Sequence, residues 1–240
     1  MASLAGKRVL IIGGSSGIGL AAAKLALAAG AAVAIAARSP DRLAAANSAL
    51  GGAAQAHVTD VSDTQSVQDL MAAVGSLDHL VVTGPTPGFG HFLEVDLDAA
   101  RTAFEAKFWG QYLAARFAAP NLAKDGSITF TTGCYSQRPI VGVSTPAAAQ
   151  AALEGLARAL ALDLSPIRVN AVSPGVTDTP LIRGLIPDDQ RASFYRTTAA
   201  SLPVKRIATA EDIAEAILFV MTNRYTSGST LFVDGGFTLR

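Results

Sequence analysis

Short apolar segments alternate with longer alanine-rich segments along the whole chain. The apolar segments show no regular polar alternation, which is typical of strands buried on both faces of a parallel sheet. The alanine-rich segments between them have the length of helices. We therefore predict an α/β fold in which helices cover both faces of a seven-stranded parallel sheet. The predicted strands are residues 8–12, 32–36, 54–57, 79–82, 127–131, 168–171 and 230–233.

The predicted helices fill the intervals between these strands. They are residues 17–29, 40–50, 64–74, 97–119, 146–162 and 210–221. We expect Thr145 to cap the helix that starts at Pro146, and Trp109 to lie in the core. The stretch 173–206 shows no such pattern, so we predict that it is irregular and forms a lid over a substrate. We expect a single domain over residues 1–240.

Charge and composition limit the classes of partner. The 240 residues include 19 basic and 19 acidic ones, so no broad positive field is available for nucleic acid or an anionic membrane. The single cysteine, Cys134, excludes an internal disulfide, and the three histidines lack metal-ligand spacing. The longest uncharged apolar run, 25–37, is shorter than the roughly 18–20 residues that span a membrane. We expect a cytoplasmic protein without a metal site.

A glycine-rich loop connects the first predicted strand to the first predicted helix. Its sequence, residues 13–19, is Gly-Gly-Ser-Ser-Gly-Ile-Gly. Glycines at this place let the backbone approach a pyrophosphate, and the free N–H groups of a helix start attract its charge. The loop therefore predicts a dinucleotide site in a doubly wound, Rossmann-type domain. The alternative is a tight turn that binds no ligand.

The spacing of these glycines resembles that of the short-chain dehydrogenase/reductase family, and the resemblance continues over nearly the whole chain. The stretches 60–61, 167–175, 210–214, 226–228 and 233–236 are similar to further motifs of the family. The resemblance implies a nicotinamide cofactor, with an adenine contact at Asp60 and a nicotinamide contact at Thr179. The cofactor-binding residues that it implies are Gly13, Ser15, Ser16, Ile18, Gly19, Asp60, Val61, Gly84, Pro174, Gly175, Val176 and Thr179.

The residues that end the second predicted strand select the form of the cofactor. A carboxylate at that place binds the ribose hydroxyls of NAD and repels a 2′-phosphate. In this chain Ala37 stands there, followed by Arg38 and Ser39. A guanidinium and a hydroxyl suit a 2′-phosphate, so we predict NADP(H), with Arg38 and Ser39 as cofactor-binding residues. The alternative is that Arg38 only covers a strand end at the surface.

The positions that carry the family's chemistry hold other residues in this chain. The family reduces carbonyls with a tyrosine as proton donor, a lysine four residues later, an upstream serine and an asparagine on another helix. The resemblance places Pro146 at the tyrosine, Gln150 at the lysine, Gly133 at the serine and Lys107 at the asparagine. The motif after the fourth strand, residues 82–85, departs as well. Because proline has no acidic proton and glutamine has no positive charge, the family's usual mechanism is in doubt.

Two other residues are candidates for the proton donor. Lys107 replaces an asparagine that lies near the family's catalytic lysine, and a buried lysine can have a lowered pKa. Its alternative is a helix lysine that extends to the solvent. Tyr135 follows the serine position by two residues, on a loop that faces the substrate in the family. Its alternative is an apolar wall of the pocket.

Three functions remain open from these observations. The first is an NADP(H)-dependent oxidoreductase that acts on a small carbonyl or alcohol with a relocated proton donor. The second is a catalytically silent NADP(H)-binding sensor or subunit of a hetero-oligomer, and the third is a lyase or isomerase on the same scaffold. The helix 146–162 is apolar nearly all round, and the family pairs this helix and the one carrying Trp109 across a two-fold axis. We therefore expect a homodimer or homotetramer.

Overall fold

Seven parallel strands form one sheet in the computed structural model, which describes residues 3–84 and 88–240. Their spatial order is β3-β2-β1-β4-β5-β6-β7, so the strand order reverses between β1 and β4. The strands are β1 (Arg8–Ile12), β2 (Ala32–Ala37), β3 (Ala54–Val58), β4 (Leu77–Val82), β5 (Leu122–Thr131), β6 (Arg168–Pro174) and β7 (Thr230–Val233). This is the predicted single-domain, doubly wound fold of the Rossmann type.

Helices cover both faces of the sheet. They are α1 (Gly17–Ala28), α2 (Pro40–Ala49), α3 (Thr64–Val74), α4 (Leu97–Phe104), α5 (Gly110–Ala118), α6 (Ser144–Asp163), α7 (Pro180–Leu185), α8 (Asp188–Ser201) and α9 (Ala210–Thr222). Val9 and Ile11 of β1 pack with α1, α2 and α9 on one face. Leu10 and Ile12 pack with α3, α5 and α6 on the other. Because successive side chains of a strand point to opposite faces, a strand covered on both sides must be apolar throughout.

The helix carrying Pro146 starts earlier than predicted. α6 begins at Ser144, and Val143 is its N-cap residue, so the prediction that Thr145 caps this helix was wrong. Proline is accepted throughout the first turn because the N–H groups there have no partner within the helix. The position of Pro146 therefore marks the first turn without fixing the cap.

The long helix predicted over 97–119 is interrupted by a π turn. The π turn spans Glu105–Trp109 and separates α4 from α5. Lys107, in its middle, is only 2% exposed, whereas Trp109 is 42% exposed, so the prediction that Trp109 lies in the core was wrong. An inserted residue rotates the helix surface and leaves Trp109 on the outer side, where its ring contacts Phe108 and Tyr112.

The stretch 173–206 is more regular than predicted. It contains α7 and α8, so its assignment as irregular was wrong. α8 buries none of its side chains, and such a helix leaves no apolar periodicity in the sequence. Asp178, just before α7, accepts hydrogen bonds from Arg183 Nε (2.8 Å) of α7 and from the Tyr195 hydroxyl (2.6 Å) of α8. These bonds join both helices to the chain that leaves β6.

The described residues form neither a membrane-spanning helix nor a metal-binding cluster. Within residues 3–84 and 88–240, no helix is both long enough and apolar enough to cross a membrane. In the same part of the chain, no cluster of three or more His, Cys, Asp or Glu side chains could hold a metal ion.

Candidate functional site

A cleft of about 830 Å³ lies beyond the carboxyl ends of the central strands, where the strand order reverses. Ligands of doubly wound sheets bind at this place, because neighbouring connections leave the sheet toward opposite faces there. The cleft is lined by Gly13, Ser15, Ser16, Gly17, Ile18, Gly19, Ala37, Arg38, Ser39, Arg42, Thr83, Gly84, Thr131, Thr179, Pro180, Leu181, Gly184 and Leu185.

The glycine-rich loop passes very close to the neighbouring strand end. Gly13 has φ = +82°, and a Cβ atom added to it would lie 2.2 Å from Thr83 Oγ1. Only glycine fits both the left-handed backbone and this contact. Ser16 is the N-cap residue of α1 and its side chain makes no capping hydrogen bond. The first turn of α1 also holds no acidic residue, so its N–H groups remain suited to an anion in the cleft.

The end of the cleft at β2 is basic. Arg38, Ser39 and Arg42 all line it. The Ser39 hydroxyl accepts a hydrogen bond from the backbone N–H of Arg42 (3.3 Å) and so caps α2. Arg42 was missed by the sequence analysis, although its place in the first turn of the helix after Arg38 was a usable signal.

Nine of the fourteen residues predicted to bind the cofactor line this cleft. They are Gly13, Ser15, Ser16, Ile18, Gly19, Arg38, Ser39, Gly84 and Thr179. The other five, which do not line it, are Asp60, Val61, Pro174, Gly175 and Val176. Asp60 accepts hydrogen bonds from the backbone N–H (2.9 Å) and hydroxyl (2.6 Å) of Ser62. These bonds, helped by the charge of Arg38, hold the pKa of Asp60 below its usual range. The role of these five residues in cofactor binding stays a prediction.

Gly133 and Gln150 are in direct contact. A Cβ atom on Gly133 would lie 2.4 Å from Gln150 Nε2 and 2.6 Å from its Cδ. Gln150 is 3% exposed, and its Oε1 atom has no hydrogen-bond partner among the residues described. Pro146 is buried one helical turn earlier. The glutamine amide therefore occupies the space that a side chain at position 133 would need.

The motif 82–85 is partly described, and Pro85 lies outside the described residues.

Lys107 lies against the wall of the cleft. Its ammonium group donates a hydrogen bond to the carbonyl oxygen of Gly84 (3.2 Å), a residue that lines the cleft. Burial lowers the pKa of Lys107 from 10.5 to about 7, because the charged form loses its hydration. The alternative of a lysine extended to the solvent does not fit a side chain that is 2% exposed.

Tyr135 lies in a short 3₁₀ turn, Cys134–Ser136, that follows β5. Its ring packs edge-on against Phe89 (6.3 Å between centroids) and Phe237 (6.0 Å). Burial raises the pKa of its phenol, so the hydroxyl stays protonated at neutral pH. Tyr135 does not line the nucleotide cleft. Burial also raises the pKa of the Cys134 thiol to about 12, which leaves no thiolate for nucleophilic chemistry.

Relatives of known class match nearly the whole chain. The short-chain dehydrogenase/reductase malC of Malbranchea aurantiaca is 32% identical, with 99% of this chain and 96% of the relative covered. The cis-4-hydroxycyclohexanecarboxylate dehydrogenase of Sinomonas cyclohexanicum is 38% identical, with 97% of each chain covered. A family model described as enoyl-(acyl carrier protein) reductase matches residues 13–238. The fold and cleft thus define a nucleotide-binding oxidoreductase domain. The chain belongs to the short-chain dehydrogenase/reductase family.

Solved structures support the same assignment. A small-chain dehydrogenase in complex with NADPH superposes with a TM-score of 0.87 at 37% identity, with 98% of this chain and 99% of that chain covered. An NADPH-bound short-chain oxidoreductase from Pseudomonas aeruginosa PAO1, described as containing an atypical catalytic centre, gives 0.91 at 31% identity over 99% and 98% of the two chains. The MalC reductase/Diels-Alderase from Malbranchea aurantiaca gives 0.92 at 30% identity over 99% and 98%.

Proposed function

We propose that this protein is an NADP(H)-dependent oxidoreductase that acts on a small carbonyl or alcohol and takes its proton from a relocated donor. The observation that carries the proposal is the position of Lys107. Its buried ammonium group is bonded to Gly84 at the wall of the nucleotide cleft, and its pKa is about 7. A general acid is most effective when its pKa lies near the working pH.

The cleft fits NADPH in two respects. The glycine-rich loop and the start of α1 offer backbone N–H groups to a pyrophosphate. Arg38 and Arg42 offer two guanidinium groups at the β2 end, where a 2′-phosphate would need them. Two structural neighbours are NADPH-bound, in agreement with this assignment.

The chain's own residues would handle the proton of the reaction. When bound, NADPH supplies a hydride to the carbonyl carbon of a substrate. Lys107 holds a proton for the substrate oxygen, and the Gly84 carbonyl orients its ammonium group. Tyr135 is the second candidate, because its raised pKa keeps the phenol protonated. Pro146 and Gln150 carry no acidic proton, so neither can take this role.

The test is a single-turnover reaction of the protein with NADPH across a panel of carbonyl compounds, followed at 340 nm. General acid catalysis contributes about 10²–10⁴ in rate, so Lys107→Met or Tyr135→Phe should reduce turnover by that order. NADPH affinity should stay within a few fold in both variants. Gln150→Ala is the matched control and should have a much smaller effect. Near wild-type turnover in both variants would exclude the relocated donor.

The same reaction has a characteristic pH dependence. Lys107 must be protonated to donate, so the rate of carbonyl reduction should be highest below about pH 7. Above that pH the rate should fall about tenfold per pH unit as the ammonium group loses its proton. A rate that is flat from pH 6 to 9 would exclude Lys107 as the donor and leave Tyr135.

A second candidate function is binding of NADP(H) without turnover. It is favoured by Gly133, Pro146 and Gln150, which leave three of the four positions that carry the family's chemistry without an acidic group. Tight NADPH binding with no oxidation by any carbonyl would support it. A lyase or isomerase on the same scaffold is the third alternative, and it is favoured by the structural neighbour that is described as both a reductase and a Diels-Alderase. Product analysis with bound but unconsumed NADPH would detect it.

A further inference from the structure

A buried glutamate lies beside the candidate catalytic positions and has no role in the mechanism above. Glu154 is on α6, one helical turn after Gln150, and is 3% exposed. Burying a carboxylate is costly unless the charge is paired or well hydrogen-bonded. Among the ion pairs formed within residues 3–84 and 88–240, none involves Glu154. Hydrogen bonds are therefore what compensates its burial.

Among residues 3–84 and 88–240, three side chains donate hydrogen bonds to Glu154, and all three come from one short segment after β5. The Ser136 hydroxyl makes the closest bond to Oε1. The Thr132 hydroxyl also donates to Oε1 (3.5 Å), and Gln137 Nε2 donates to Oε2 (3.2 Å). These residues stand on both sides of Tyr135. The carboxylate therefore attaches the turn that carries Tyr135 to the rigid helix α6.

The ring of Tyr135 is held from the other direction by aromatic contacts. Phe89 and Phe237 pack edge-on against it, and Phe237 is itself covered by the guanidinium groups of Arg138 and Arg240. Edge-to-face contacts orient a ring but do not fix the backbone that carries it. The hydrogen bonds to Glu154 supply that second restraint.

We propose that Glu154 is a positioning residue, which fixes the turn 132–137 and thereby holds the phenol of Tyr135 in its place between Phe89 and Phe237. For a role in catalysis this rests on the proposed function, in which Tyr135 is one of the two donors. The hydrogen bonds matter here rather than the charge. Glu154→Gln keeps an acceptor for Ser136 and Thr132, and the Gln137 amide can turn over to accept from the new amide. Glu154→Leu removes both acceptor oxygens, and with them all three hydrogen bonds, at similar volume.

The experiment is ¹⁹F NMR of the full chain labelled with 3-fluorotyrosine. The chain has four tyrosines, and Tyr135→Phe identifies the resonance of Tyr135. In Glu154→Leu this resonance should move toward that of Tyr225, which is fully exposed, and the pKa of the labelled phenol should fall below its value in the labelled wild type, because the ring loses its burial. In Glu154→Gln it should stay at the wild-type position. The resonances of Tyr112, Tyr195 and Tyr225 serve as internal controls of folding.

Two outcomes overturn the proposal. One is an unchanged Tyr135 resonance in folded Glu154→Leu, and the other is a shift in Glu154→Gln as large as in Glu154→Leu. If Glu154→Leu does not fold, Ser136→Ala removes the closest donor instead and should move the same resonance in the same direction. This readout needs no turnover, so an inactive wild type would contradict the proposed function and leave the positioning role intact. If Tyr135→Phe shows that Tyr135 is the donor, Glu154→Leu should lower kcat about 10- to 100-fold and leave the KM for NADPH within about twofold.

Discussion

Lys107 is the proposed proton donor, and the burial of its ammonium group destabilises the folded protein. The pKa of its ammonium group is lowered from 10.5 to about 7 by burial, so the folded chain binds the proton less tightly than the unfolded chain. Between pH 7 and 10.5 the unfolded state carries a proton that the folded state has released. Stability should therefore rise with pH across this range, and the cost of the buried charge is greatest at and below pH 7.

Lys107→Met should stabilise the protein while it removes the proposed donor. Replacing a buried charged group by an apolar side chain of similar length is often stabilising by roughly 1–4 kcal/mol. Urea unfolding at pH 7 should show a higher free energy of unfolding for the variant, and the difference should shrink toward pH 10. Lys24→Met, at an exposed lysine on α1, is the control and should have little effect at any pH. A less stable Lys107→Met protein at pH 7 would contradict this account.

Arg38 should set the preference for NADPH over NADH. A hydrogen bond between charged groups contributes about 1.5–3 kcal/mol, which corresponds to about ten- to a hundredfold in affinity. Titration of both cofactors into Arg38→Ala should show that loss for NADPH only. Arg42→Ala should lose less, and Arg101→Ala, at an exposed arginine of α4, should lose nothing. Equal affinities of the wild type for NADPH and NADH would contradict the assignment.

At the scale of elements, helices and strands that follow from the local sequence pattern could be predicted, whereas features that depend on tertiary packing could not. β1, α3 and β7 have the bounds predicted from the sequence, because β1 and β7 are short continuous apolar runs and the apolar residues of α3 repeat with the helical period. The π turn was not predictable, since one inserted residue hardly changes that repeat. α8 was missed because it buries none of its side chains. In the site, the glycine-rich loop is a continuous motif, whereas Glu154 meets its partners only through the packing of α6 on the turn after β5.

We propose that α7 and α8 form the lid expected for the stretch 173–206. Leu181 and Leu185 of α7 line the nucleotide cleft, although they remain 42% and 48% exposed. The bonds from Arg183 and Tyr195 to Asp178 hold the two helices together and lower the pKa of Asp178 to about 2. A covering element of this kind belongs to the least stable part of a fold.

Asp178→Ala should loosen these helices. Without the carboxylate, Arg183 and Tyr195 lose their common partner, so trypsin should cleave after Arg183 or Arg191 about tenfold faster at native conditions. Asp188→Ala removes an exposed carboxylate of the same segment and should change the rate little. An unchanged cleavage pattern in Asp178→Ala would show that packing alone holds the helices.

At the scale of the whole molecule, two helical surfaces in the described part of the chain carry apolar side chains that are half-buried or exposed. Phe104, Phe108, Trp109 and Tyr112 form a continuous aromatic cluster along the π turn and its flanking helices. On α6, Leu162 is 80% exposed. Apolar surface of this extent is typical of a protein interface. We propose that a second copy of the chain covers it.

Light scattering at micromolar concentration should therefore give the mass of a dimer or tetramer. Trp109→Glu should shift the distribution toward the monomer, because it places a charge in the centre of the aromatic cluster. Leu239→Glu, at an exposed apolar residue near the chain end, is the control and should not. A wild-type mass of about 24.5 kDa would contradict the proposal.

The contact between Gly133 and Gln150 restricts which single substitutions could introduce the catalytic residues that are usual in the family. Serine at position 133 collides with the amide of Gln150 unless that side chain is replaced or displaced as well. A tyrosine at position 146 would in turn lack both neighbours with which it normally acts. Single replacements toward the usual catalytic set therefore pass through strained or inactive intermediates. The present residues are therefore more easily kept together than exchanged one at a time, which makes this candidate site a demanding target for redesign.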